Sequence, residues 1–124
     1  MQYIGIIDKS KIGKYAERIS TYDVVLTDER RMHIYEDHAM DYDEIMNNIV
    51  RVIQKPIEII EDIKNKDTLF FVGKLTMNIL NIVVRLNTTN SKKHPQNSIM
   101  TAWIIRDSNL RKMRKRNNYI YKSE

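Results

Sequence analysis

Two of the three histidines in this chain fall within one short segment, Leu26–His38 (LTDERRMHIYEDH). Imidazoles can move protons near neutral pH. Much later, the apolar run Ile79–Leu86 (ILNIVVRL) holds a single arginine, Arg85, and Asn97–Ile105 (NSIMTAWII) holds Thr101 and Trp103. A guanidinium grips phosphate with two parallel donors, and an indole offers a plane on which a base can stack. These residue types suit cleavage of RNA by proton transfer without a metal ion.

The spacing of the histidines limits how they could work. His33 and His38 are five apart, so on a straight helix they point about 140° away from each other. That is not the i, i+4 pair of a zinc-binding helix. His33 precedes Asp37 by four residues, and the carboxylate can orient its ring. His38 follows Ile34 by four and falls at the helix C-terminus, where the helix dipole favours a cation. One base and one acid would follow. The same positions also fit a surface histidine paired with Asp37 and a boundary histidine packed near Ile34. His94, in KKHPQN, reads as a loop residue.

The elements that would position these groups alternate between two periods. Thr27 is a good N-cap for a helix over about Asp28–Met40, with Asp28 and Glu29 complementing its dipole. Asp41 and Glu44 have capping-box spacing ahead of a second helix whose stripe is Ile45, Ile49, Val52 and Ile53. Lys55–Pro56 ends it, because a residue before proline avoids helical geometry. Beyond Pro56 the pattern becomes that of strands: Ile57–Asp62, Thr68–Lys74, Asn78–Asn87 and Ser98–Arg106. A polar loop, Thr88–Asn97, separates the last two. Asp107 then opens a basic helix, Ser108–Arg116, before a short tail, NNYIYKSE. Tyr3–Ile7 is a short apolar run that reads as a candidate first strand, and Val24–Leu26 leads into Thr27. The expected fold is α+β, with N-terminal helices packed on one face of a four-stranded antiparallel sheet and a basic C-terminal helix.

Side chains alternate across a strand, so each face can be read separately. Leu80, Ile82, Val84 and Leu86 form one apolar face, and Met100, Ala102 and Ile104 another; these should meet the helices. The opposite faces carry Asn81 and Arg85, and Thr101 and Trp103, a plausible floor for a nucleotide. An arginine in a strand is also compatible with a plain ion pair, and a lone tryptophan with a packing residue.

At 124 residues the chain fits a single domain, 1–124. No apolar run approaches the ~20 residues needed to cross a bilayer, and MQYIGIIDKSKIG is too polar for a secretory signal. The absence of cysteine removes disulfides and thiolate chemistry. A cytoplasmic protein without cofactor or metal fits best. Charge is unevenly spread: residues 1–62 sum to −5 and residues 63–124 to +10. The segment RKMRKR, Arg111–Arg116, would contact phosphates without selectivity, or dock an acidic protein such as an inhibitor.

The helix LTDERRMHIYEDH, the following VIQKPIEIIED, the strand NIVVRLNT and the segment NSIMTAWII resemble the phage-type nucleases of the barnase/EndoU/colicin/RelE-like superfamily, over roughly Val24 to Ile105. The resemblance implies a metal-independent endoribonuclease with catalytic residues at His33, His38, Arg85 and Thr101. Contacts to substrate would come from Asn81, Ser98, Trp103, Lys74, Arg111 and Arg114. Members often have a basic residue before the second histidine and a proline after it, where Asp37 and Ala39 stand here. The implied reaction is attack of a ribose 2′-OH on phosphorus, with RNA, for example tRNA, as substrate and an antitoxin or inhibitor protein as partner. The competing reading is a non-catalytic RNA- or protein-binding module of the same fold, such as an inhibitor of a host system.

Overall fold

The computed structural model describes residues 1–88 and 96–123; His94 and most of the polar loop therefore lie outside the described residues. The chain runs through β1 (Gln2–Ile6), two 3-10 turns (Lys9–Lys11 and Gly13–Glu17), β2 (Asp23–Leu26), α1 (Asp28–Asp37), a 3-10 turn (Ala39–Asp41) and α2 (Tyr42–Gln54). It continues through β3 (Glu58–Glu61), β4 (Thr68–Lys74), β5 (Ile79–Arg85), β6 (Asn97–Ile104), α3 (Asp107–Arg116) and β7 (Asn118–Lys122).

Local chemistry accounts for most of these boundaries. Thr27 caps α1, its hydroxyl accepting from the Arg30 amide at 3.2 Å. The stripe Ile45, Ile49, Val52 and Ile53 is wholly buried, and burial of each such side chain contributes about 1.5–3 kcal/mol. The expected capping box of α2 does not form. Asp41 makes no side-chain cap bond, and Glu44 instead accepts from the Asn78 amide nitrogen at 3.0 Å.

The α+β class holds, but the expected four-stranded antiparallel sheet with helices on one face is overturned. The sheet has seven strands in the order β1-β2-β6-β5-β4-β3-β7. It is mixed, since β2 runs parallel to β6 while the other pairings are antiparallel. Three additions explain the difference. The segment read as a tail becomes β7 and satisfies the backbone donors and acceptors along the outer edge of β3. β2 docks on β6 because the Asn97 side chain, fully buried, donates to the carbonyls of Thr21 (2.7 Å) and Asp23 (2.9 Å). The Asn97 side-chain oxygen also accepts from the Asn87 amide at 2.8 Å, so one side chain ties three segments together. β1 then pairs with β2, so two strands precede the first helix.

The helices are divided between the faces. α2 and Ile34 of α1 join Phe71, Leu80, Ile82 and Val84 in the main core. On the other face α3 packs through Leu110 against Ile60, Val72 and Ile105, with Phe70, Trp103 and Met113 around them. The 3-10 segment before β2 is anchored to β3, where the Tyr15 hydroxyl donates to Glu61 at 2.5 Å and Lys14 pairs with the same carboxylate at 2.9 Å. Burial and this hydrogen bond push the Tyr15 phenol above its ordinary value of 10. Burial pulls Glu61 upward, but the hydrogen bonds from Tyr15, Lys14 and Asn118 outweigh it and hold the carboxyl below 4.5.

Two expectations follow. A Cβ added at Gly73 would lie 2.4 Å from Val52 Cγ2, so Gly73→Ala should destabilise by about 1–3 kcal/mol, read as a lower urea midpoint at constant slope. The stability contributed by Glu61 is fully present above its ordinary value of 4.5 and is lost as pH falls through its lowered folded value. Acid titration of unfolding free energy should therefore have a shallower limb in Glu61→Gln than in the wild type.

Candidate functional site

β5 and β6 carry half of the residues singled out from the sequence. Regular pairing joins Asn81 to Trp103 and Val83 to Thr101, after which the register shifts and Val84 faces Ile99 and Arg85 faces Ser98. Met100 is the extra residue in β6. Directly opposed residues share a face, so this bulge puts Arg85, Ser98, Thr101, Asn81 and Trp103 on one surface. Without it, strict alternation would have sent Ser98 to the core side with Ala102. It also overturns the expectation that Met100 shares the core face: Ile99 takes that place, wholly buried, and Met100 is only half-buried.

The row is ordered. Arg85 and Ser98 stand at one end, Thr101 in the middle and Trp103 at the other, with about 6–7 Å of strand between successive positions on β5. Arg85, Ser98, Thr101 and Trp103 are all half-buried, so each presents some surface to solvent.

The two histidines part company. α1 packs against β6, and His38, where the helix ends, leaves helical geometry at φ −138°. Its ring stacks near-parallel to Trp103, centroids 6.4 Å apart and planes at 25°. His33 is exposed and pairs with Glu29 at 3.8 Å, in place of the expected Asp37. The structure thus brings His38 to the row and leaves His33 on the outer side of α1.

The remaining expected contacts are scattered. Asn81 is wholly buried, and neither its amide nitrogen nor its oxygen has a hydrogen-bond partner among the described residues. It sits under the apolar second cluster, out of reach of a ligand. Lys74 is exposed at the end of β4, paired with Ile79. Arg111 is exposed on α3. Arg114 is committed elsewhere: its guanidinium donates twice to the buried Glu58 carboxylate, at 2.9 Å each. That pairing raises the Arg114 pKa further and pins α3 to β3. Removing one partner of such a pair costs about 3–5 kcal/mol.

Sequence reasoning passed over an open groove of about 680 Å³ between α3 and the β3–β4 turn. Phe70 and Trp103 line it, with Lys64, Lys112 and Arg116 among its cations. Phe70 had a legible signal, since alternation along β4 places it on the face opposite Phe71. Lys112 and Arg116 had another, being i, i+4 and so on one side of α3. Only the packing of α3 across the sheet brings these two signals together.

No group of three or more His, Asp or Glu residues that could hold a metal ion occurs among the described residues, and none of the described helices is long and apolar enough to cross a membrane. A buried amide without partners costs about 1–3 kcal/mol. Asn81→Leu should therefore raise the urea midpoint, and a lower midpoint would mean that Asn81 makes bonds that repay its burial. No protein-family model, curated protein or solved structure matches this chain.

Proposed function

We propose that this chain is an endoribonuclease that cleaves RNA by attack of a ribose 2′-OH on the adjacent phosphorus. The observation that carries the reading is the bulged register of β5 and β6, which aligns Arg85, Ser98 and Thr101 beside Trp103 and His38. In this reading the scissile phosphate lies over Val83 and Thr101. Arg85 reaches it along β5 and donates two hydrogen bonds to its non-bridging oxygens; the Thr101 hydroxyl adds a third, and Ser98 a fourth by turning its hydroxyl from the Gln96 carbonyl, 3.4 Å away. These donors match the charge that grows on those oxygens in the phosphorane.

His38 takes the proton of the 2′-OH as the oxygen–phosphorus bond forms. The bond to the 5′ oxygen then breaks, and solvent water protonates that leaving group. The products are a 2′,3′-cyclic phosphate and a 5′-OH. His33 has no role in this scheme, because nothing directs it toward the row.

The test is incubation of purified protein with total RNA and with tRNA in EDTA. Wild type should cut both and leave cyclic-phosphate ends, while DNA, which lacks the attacking hydroxyl, stays intact. Arg85→Ala should lose about 10²–10³ in rate and His38→Ala about 10²–10⁴. His33→Ala should cut near the wild-type rate. Intact RNA in the presence of folded wild-type protein would refute the proposal and favour a non-catalytic binding module.

A further inference from the structure

We infer that the groove between α3 and the β3–β4 turn seats a single-stranded RNA segment flanking the phosphate, with a base stacked on Phe70 and Trp103 and backbone phosphates on Lys112 and Arg116. The inference deepens the proposed function and rests on its choice of RNA as ligand.

Four observations support it. The volume, about 680 Å³, lies within the ~300–1,000 Å³ typical of small-ligand sites and is ample for a nucleotide. Its lining joins two aromatic rings, Phe70 and Trp103, to the aliphatic surface of Ile105 and Met113, a surface on which any base can stack. Among the described residues the charge is one-sided, with Lys64, Lys112 and Arg116 against a single carboxylate, Asp62. Asp62 is already occupied, accepting from the Lys64 amide at 2.9 Å and from the Asn65 side chain at 2.8 Å. Trp103 belongs both to the groove and to the row containing Thr101, so a strand lying over Thr101 runs into the groove without a break.

The cations of α3 divide by helical geometry, and this makes the inference specific. Arg114 is spent on Glu58. Lys112 and Arg116 line the groove. Arg111 and Lys115 are exposed and do not line it. The last two pairs carry the same charge on the same helix, so a ligand seated in the groove must distinguish them, whereas a polyanion held by the general field of the basic half would not.

Trp103 is the only tryptophan in the chain and so reports directly on the site. The experiment titrates the whole protein with a short 2′-O-methyl oligonucleotide, which cannot supply the attacking hydroxyl, and follows tryptophan fluorescence across a salt series. Binding should quench the signal. Lys112→Gln with Arg116→Gln should weaken binding and lower the slope of log affinity against log salt by about 1.4, or about 0.7 for each lost phosphate contact. Arg111→Gln with Lys115→Gln should leave both nearly unchanged. Phe70→Ala should weaken binding roughly 5- to 150-fold, the loss of one stacked base.

Any of three results overturns the inference: no quenching by the oligonucleotide, equal losses from the two double variants, or equally tight binding of polyglutamate, which would point to an acidic protein as occupant. Binding is read without cleavage. Quenching that depends on Lys112 and Arg116 therefore upholds the groove even if the wild type leaves RNA intact, a result that would sink only the nuclease reading.

Discussion

One unpaired residue in β6 controls what the sheet presents to solvent. Because the side-chain period of a strand is two, inserting Met100 between the pairs Val83–Thr101 and Val84–Ile99 resets the alternation. On one side of the bulge Ile99 enters the core; on the other Thr101 faces outward, and beyond Ile99, Ser98 joins it opposite Arg85. Regular pairing with Met100 kept in the ladder would turn Ser98 inward and Ile99 outward. The first would bury an unpaired hydroxyl and the second would expose an aliphatic side chain, so the apolar demand of the core holds the polar row in place.

The bulge is effective because its surroundings cannot slide. Asn97, three residues before it, ties the start of β2 to the chain just past β5 through three hydrogen bonds, to Thr21, Asp23 and Asn87. Gly73 lets α2 press onto the central strands without a Cβ in the way. On the opposite face the Glu58–Arg114 pair secures α3 at the β3 side. α3 therefore covers β3 and β4 but leaves the β5–β6 row half-exposed, with the groove as the gap between helix and turn. A cation counted from the sequence as a ligand contact thus serves to hold the wall of the groove.

The site also shows how a residue's chemistry depends on its neighbours more than on its type. His33 and His38 occupy the same short segment, yet one faces solvent beside Glu29 and the other stacks on the sole tryptophan. The difference arises where α1, packed against β6, ends: His38 departs from helical geometry. Asn81 shows the reverse case. Its face was read correctly, but between Val72 and Trp103 in the sheet its side chain is wholly buried, away from contact with any ligand.

Where a signal was local, the sequence by itself determined the outcome. The buried stripe of α2, the Thr27 cap, the stop at Pro56, the central strands β4 and β5, and the basic helix α3 all follow from side-chain period, capping chemistry and proline sterics within one or two turns of chain. Short strands escaped it: β2, four residues long, is held only between β1 and β6, and β7 reads as a polar tail until the free edge of β3 supplies its partners. Tertiary structure alone decided the sheet order, the bulge at Met100, the choice of His38 over His33 for the row, and the union of Phe70 with Lys112 and Arg116 in one groove. Each depends on contacts between segments distant in the chain, and local pattern carries no information about which distant segment will fill an open edge or cover an open face.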